Sequence, residues 1–114
     1  MGKEYEYYGT ITVGDAEPVV ITVVLPDKGT STCATWISTP KGNLNITDEG
    51  VRNIGPGADF KKEPCEITSN PLNLEPKIDS IRVNILANGH LIAEHSNLKE
   101  ESKTPQVYVY LTIK

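Results

Sequence analysis

Apolar and polar residues alternate along most of this chain with a period of two, the signature of strands that bury one face. Near the N-terminus Tyr5, Tyr7, Ile11 and Val13 alternate with Glu4, Glu6, Tyr8, Thr10 and Thr12. This predicts a first strand, closed by the turn Gly14-Asp15-Ala16-Glu17-Pro18. Val19 to Leu25 is apolar at nearly every position, which predicts a central strand covered on both faces. Pro26-Asp27-Lys28-Gly29 reads as a turn, because proline fixes φ and glycine accepts a positive φ. Thr30 to Ser38 gives a third strand, with Cys33, Thr35 and Ile37 on one face and Ala34 and Trp36 on the other. A turn at Thr39-Pro40-Lys41-Gly42 leads to a short strand, Asn43 to Thr47, with Leu44 and Ile46 inward.

From Asp48 to Pro64 the pattern fades, and the segment holds Gly50, Gly55, Pro56 and Gly57. A loop is expected there, with room for one helical turn around Glu49 to Asn53. Cys65 to Thr68 reads as a brief strand, and Ser69 to Lys77, with Pro71 and Pro76, as a loop. Ile78 to Ala87 and His90 to Ser96 flank Asn88-Gly89, the preferred pair for a two-residue type I′ hairpin. An uninterrupted register sets Ile85 opposite Ile92, Leu86 opposite Leu91 and His95 opposite Arg82. A charged loop, Asn97 to Thr104, precedes the last strand, Pro105 to Lys114. There Val107, Val109, Leu111 and Ile113 make one apolar face against Tyr108, Tyr110 and Thr112.

Seven to nine short strands with regular turn signals predict an all-β fold, a single antiparallel β-sandwich over residues 1–114. Immunoglobulin-like or jelly-roll-like sandwiches fit the pattern, with a small β-barrel as the alternative. No segment keeps a helical period, and no repeat or linker divides the chain.

Composition narrows the function. The chain carries 11 basic and 15 acidic residues, a net charge of −4, and its basic residues are scattered. Nucleic acid is therefore not expected as a partner, since a phosphate-backbone binder needs a basic stripe. No apolar run is long enough to span a membrane. The start, Met1-Gly2-Lys3-Glu4-Tyr5-Glu6, has neither a signal-peptide core nor a myristoylation pattern. It fits a cytoplasmic protein or an exported one lacking its signal.

Candidate chemistry is sparse. Cys33 and Cys65 are a candidate disulfide, a bridge that would imply an oxidising compartment, with two buried thiols as the alternative. The immunoglobulin Cys–Trp–Cys spacing is not met, because Trp36 follows Cys33 by only three residues. A cysteine nucleophile would need His90 or His95 beside it. The two histidines are expected to point to opposite faces of one strand as surface residues, which also argues against a shared metal site. Asp48, Glu49 and Asp59 could furnish loop oxygens for Ca²⁺, although solvated charge is the plainer reading. Asn45-Ile46-Thr47 matches a glycosylation acceptor. No catalytic or phosphate-binding motif occurs, and no cofactor is expected.

The tyrosines are the most informative feature. If the terminal strands are neighbours, Tyr8, Tyr108 and Tyr110 form an aromatic strip among threonines. Such a strip can stack on sugars or anchor a protein, or serve as a cross-strand structural cluster. Open strand edges offer a second docking mode. The expected function is a non-catalytic binding module, exported or cell-surface, that engages a protein or glycan through a sheet face or loops. The alternatives are a small hydrolase using a cysteine or loop carboxylates, and a barrel carrying an apolar ligand.

Overall fold

The computed structural model describes residues 3–27 and 31–114. Among these residues nine strands form two sheets. In chain order they are β1 (Glu4–Ile11), β2 (Pro18–Val24), β3 (Ser31–Thr39), β4 (Gly42–Thr47) and β5 (Gly50–Pro56). After one 3-10 turn at Gly57–Phe60 come β6 (Cys65–Asn73), β7 (Ser80–Ala87), β8 (His90–Leu98) and β9 (Gln106–Ile113). The five-stranded sheet runs β1-β9-β6-β3-β4 and the four-stranded sheet β5-β2-β7-β8. The fold is a β-sandwich. The sheets stay separate rather than closing into a barrel, so the barrel alternative is not adopted.

The core follows the alternation. Val19, Ile21, Val23 and Leu25 meet Ile37, Ile67, Val83, Ile85, Val107, Val109, Leu111 and Ile113 between the sheets. β9 realises the expected face: its four aliphatic residues are buried, while Thr112 is exposed and Tyr108 and Tyr110 are half-buried on the other side. Among the described residues every strand pair is antiparallel except β1 with β9, which run parallel, Glu4 beside Gln106 through Ile11 beside Ile113.

Five local expectations change. β2 is central, between β5 and β7, but its outer residues Val20, Thr22 and Val24 are only half-buried. Thr22 belongs to a row, Val51–Thr22–Leu86–Leu91, that crosses the four-stranded sheet. The weakly patterned segment after Asp48 supplies β5, and the helical turn falls at Gly57–Phe60 rather than at Glu49 to Asn53. Asp48, at φ 57°, turns the chain from one sheet to the other. Its carboxylate accepts from the Cys33 amide (2.9 Å) and its own amide donates to the Cys33 carbonyl (2.6 Å).

β6 continues through Pro71 to Asn73 where a loop was expected. Cys33 spends both its backbone groups on Asp48, so Cys33 and Pro71 form a pair without mutual hydrogen bonds. The position of the amide hydrogen that proline lacks points instead toward β9, whose pairing with β6 ends at Ser69. Proline costs no ladder bond there.

The candidate Cys33–Cys65 bridge is not formed, and both residues are buried free thiols, the alternative reading. Cys33 lies opposite Pro71, six positions along β6 from Cys65, which separates them by about 20 Å at the usual strand rise. A disulfide requires Cα atoms within about 7 Å.

The hairpin carries the last difference. Asn88 (φ 48°) and Gly89 (φ 80°) both take positive φ, as a type I′ turn demands. Leu86 pairs with Leu91 as expected, but Ile85 pairs with Ala93 rather than Ile92. Ile92 is thus an extra residue, a bulge that shifts the rest of β8 by one. His95 then lies opposite Val83 and points into the protein instead of standing opposite Arg82. The turn Lys28-Gly29, the strand start at Thr30 and the Met1-Gly2 terminus lie outside the described residues.

Candidate functional site: the outer face of the five-stranded sheet

The parallel β1–β9 register decides what the tyrosines do. Tyr8 lies beside Tyr110 and Glu6 beside Tyr108, so the three candidate tyrosines share one outward face. The Tyr8 and Tyr110 rings stack with centroids 5.2 Å apart and planes inclined by 23°. Offset stacking of this kind is favourable in itself. Tyr8 is 75% exposed, which a ring recruited only to stabilise the sheet would not need to be. Tyr108 donates to Gln106 Oε1 at 2.8 Å.

The sheet adds an aromatic residue that sequence reasoning did not join to this face. Glu6, Tyr108, Thr68, Trp36 and Asn45 lie opposite one another in one row across β1, β9, β6, β3 and β4. Trp36 is the only tryptophan and is 49% exposed. It stands about 10 Å from Tyr108, two strand spacings away. Its outward direction was legible from Cys33, Thr35 and Ile37; what was missing was the strand order.

Carboxylates border the rings. Tyr110 lies opposite Glu66, and the Tyr8 hydroxyl reaches Glu6 Oε2 at 3.4 Å. Desolvation, then the negative charges of Glu6 and Glu66, raise the Tyr110 phenol above its ordinary value. Beside this row, a groove of about 460 Å³ runs past Ala34, Asn70, Leu72, Pro105 and Gln106. Ala34 leaves the gap between its larger neighbours on β3, and Asn70 Oδ1 has no hydrogen-bond partner.

A second polar cluster lies between the edge strands of the two sheets. His95 is 1% exposed. Asn97 donates its amide hydrogens to the Leu98 and Ser102 carbonyls, 2.9 Å each, so its Oδ1 must accept from His95 Nε2 (2.7 Å). His95 Nδ1 is then the acceptor for the Tyr7 hydroxyl, also at 2.7 Å. The imidazole is neutral with both nitrogens engaged, and burial holds its pKa below the ordinary value. Tyr5 tilts over it at 4.6 Å and donates to Glu101, which Lys3 approaches at 3.8 Å. Desolvation and Glu101 push the Tyr5 phenol up to about 12. A histidine so enclosed has no free lone pair for a substrate proton. Its position is structural.

The other candidates disperse. His90 is exposed beside the hairpin turn, away from buried His95. Cys33 Sγ lies against the Ser69 and Thr35 hydroxyls (2.9 and 3.5 Å) and Cys65 Sγ reaches the Ser38 carbonyl at 3.6 Å; neither bonds a histidine. Burial pushes the Cys65 thiol up to about 11, the reverse of nucleophile activation. Asp48 and Glu49 accept from the Cys33 and Leu25 amides. Among the described residues no three His, Cys, Asp or Glu side chains gather as a metal site. Asn45, of the glycosylation pattern, is exposed on edge strand β4.

The architecture is thus a two-sheet sandwich with an exposed aromatic, carboxylate-bordered platform on its larger sheet. No protein-family model matches the chain, and comparison with curated proteins finds no relative.

Proposed function

We propose that the protein is a non-catalytic binding module that engages a protein or glycan through the outer face of its five-stranded sheet. The observation that carries this reading is the exposed Tyr8–Tyr110 stack on the same face as half-exposed Trp36. Rigid rings with polar tips give large contact area at small entropic cost, which is why they anchor recognition surfaces. An exported or cell-surface setting belongs to the same proposal. It rests on the sheet-face reading alone, now that no disulfide argues for an oxidising compartment.

The test is a pull-down and a glycan array run with the natural chain and with Tyr8→Ala/Trp36→Ala/Tyr110→Ala. A partner that binds the natural chain and is lost with the triple variant, at unchanged far-UV circular dichroism, supports the reading. A partner retained by the folded triple variant overturns it.

A further inference from the structure

We propose that the partner of this face is a basic polypeptide segment whose guanidinium or ammonium groups stack on Tyr8, Tyr110 and Trp36 and pair with Glu6 and Glu66. This rests on the sheet-face reading above and adds the chemistry of the occupant.

The first ground is the sign of the charge. The chain holds 11 Lys and Arg residues, yet none lies in β1, β9, β6, β3 or β4. The charged residues of those five strands are Glu4, Glu6 and Glu66, all exposed. Among the described residues none of the three is held in an ion pair. The sheet therefore offers carboxylates with no counter-charge of its own.

The second ground is where those carboxylates sit. Glu6 touches the Tyr8 hydroxyl and Glu66 lies directly opposite Tyr110, so negative charge borders the stacked pair. An aromatic face attracts a cation through its quadrupole, and a neighbouring carboxylate adds to that attraction. Guanidinium suits the arrangement best, since it is planar, stacks on rings and forks onto carboxylates. A neutral glycan could stack on the same rings and donate hydroxyls to the carboxylates, but it would bring no positive charge to offset them. Charge complementarity of this kind selects partners more than it sets raw affinity.

Fluorescence anisotropy with labelled Arg-Gly and Lys-Gly repeat peptides tests the assignment, with a Glu-Gly peptide and neutral oligosaccharide competitors alongside. The basic peptides are expected to bind, more weakly as salt rises. Glu6→Gln/Glu66→Gln should weaken binding about tenfold, and Trp36→Ala/Tyr8→Ala should remove it. Glu94→Gln, on the four-stranded sheet, should change nothing. Equal sensitivity to Glu94→Gln and Glu6→Gln/Glu66→Gln would mean generic attraction to an acidic protein and would overturn the proposal. Oligosaccharide binding that needs Trp36, with no binding of either basic peptide, would overturn the cationic partner while leaving the sheet-face reading intact. If no basic peptide and no glycan depends on Trp36 or Tyr8, both fall.

Discussion

Tyr7 and Tyr8 are adjacent on β1, yet they belong to different parts of the molecule. Tyr7 turns inward, donates to His95 at 2.7 Å and closes a network in which each polar atom of His95 and Asn97 is used. Tyr8 turns outward, three-quarters exposed, and stacks on Tyr110 with its ring face still open. Residue type is the same and sequence separation is one, so the pleat alone assigns the roles. The contrast teaches how to weigh a polar cluster: satisfied bonds and burial mark structure, whereas open rings and unpaired carboxylates mark a surface available to something else.

That contrast is broken most forcefully on the inner side. His95→Ala removes a buried ring and strands both the Tyr7 hydroxyl and Asn97 Oδ1, so it should cost about 3 kcal/mol in urea unfolding. Tyr7→Phe keeps the ring but leaves His95 Nδ1 without a donor, and about 1–2 kcal/mol is expected. If either variant unfolds at the natural midpoint, the network is not structural.

Acid should act on the inner cluster by the same logic. His95 has a folded-state pKa below its unfolded value near 6.5, because burial disfavours the imidazolium. The unfolded chain therefore binds the proton first. Stability from this group is complete above about pH 6.5 and falls as pH drops toward the folded pKa, by at most about 1.4 kcal/mol per pH unit. Tyr7 and Tyr5 face the ring without charge, while the hydrogen bond to Asn97 and then nearby Glu101 limit the shift. Unfolding curves from pH 7.5 to 5.0 should show this slope, flattened in His95→Gln. An equal slope in both proteins would place the titration elsewhere.

On the outer side the expected effects on folding are small. Tyr8→Ala should leave the melting temperature nearly unchanged, because its ring is three-quarters exposed, and Tyr110→Ala, at a half-buried ring, should lower it by only a few degrees. A large drop would recast the stack as a structural cluster. Smallest of all is the response to reductant. With Cys33 and Cys65 as separated free thiols, dithiothreitol should not move the melting temperature. A drop on reduction would mean a bridge exists.

The sequence made the outer face nearly legible and hid the inner cluster. Strict alternation in β1 and β9 placed Tyr8, Tyr108 and Tyr110 outward before any neighbour was known. Pairing of the terminal strands, and hence the link to Trp36, depends on long-range order that period-two patterns do not encode. His95 was misassigned by one bulged residue. Leu91-Ile92 carries no glycine or asparagine to announce a bulge, and a one-residue slip moves every later side chain to the other face. The residue that the bulge packs against lies on another strand. β1 passes so close that a Cβ on Gly9 would sit 3.1 Å from that of Ile92, a contact invisible from either segment alone. Pro71 misled for a similar reason: it reads as a strand breaker until the neighbouring ladder is seen to have ended.

The central claim, that partners land on the outer face of the five-stranded sheet, is tested most directly by the emission of Trp36. It is the only tryptophan, and it is half-exposed on that face with no other indole to confuse the signal. Titration with a bound partner should shift its emission to shorter wavelength and protect it from acrylamide, saturating with the binding curve. A partner that binds to saturation while Trp36 emission and quenching stay unchanged would show that recognition happens elsewhere.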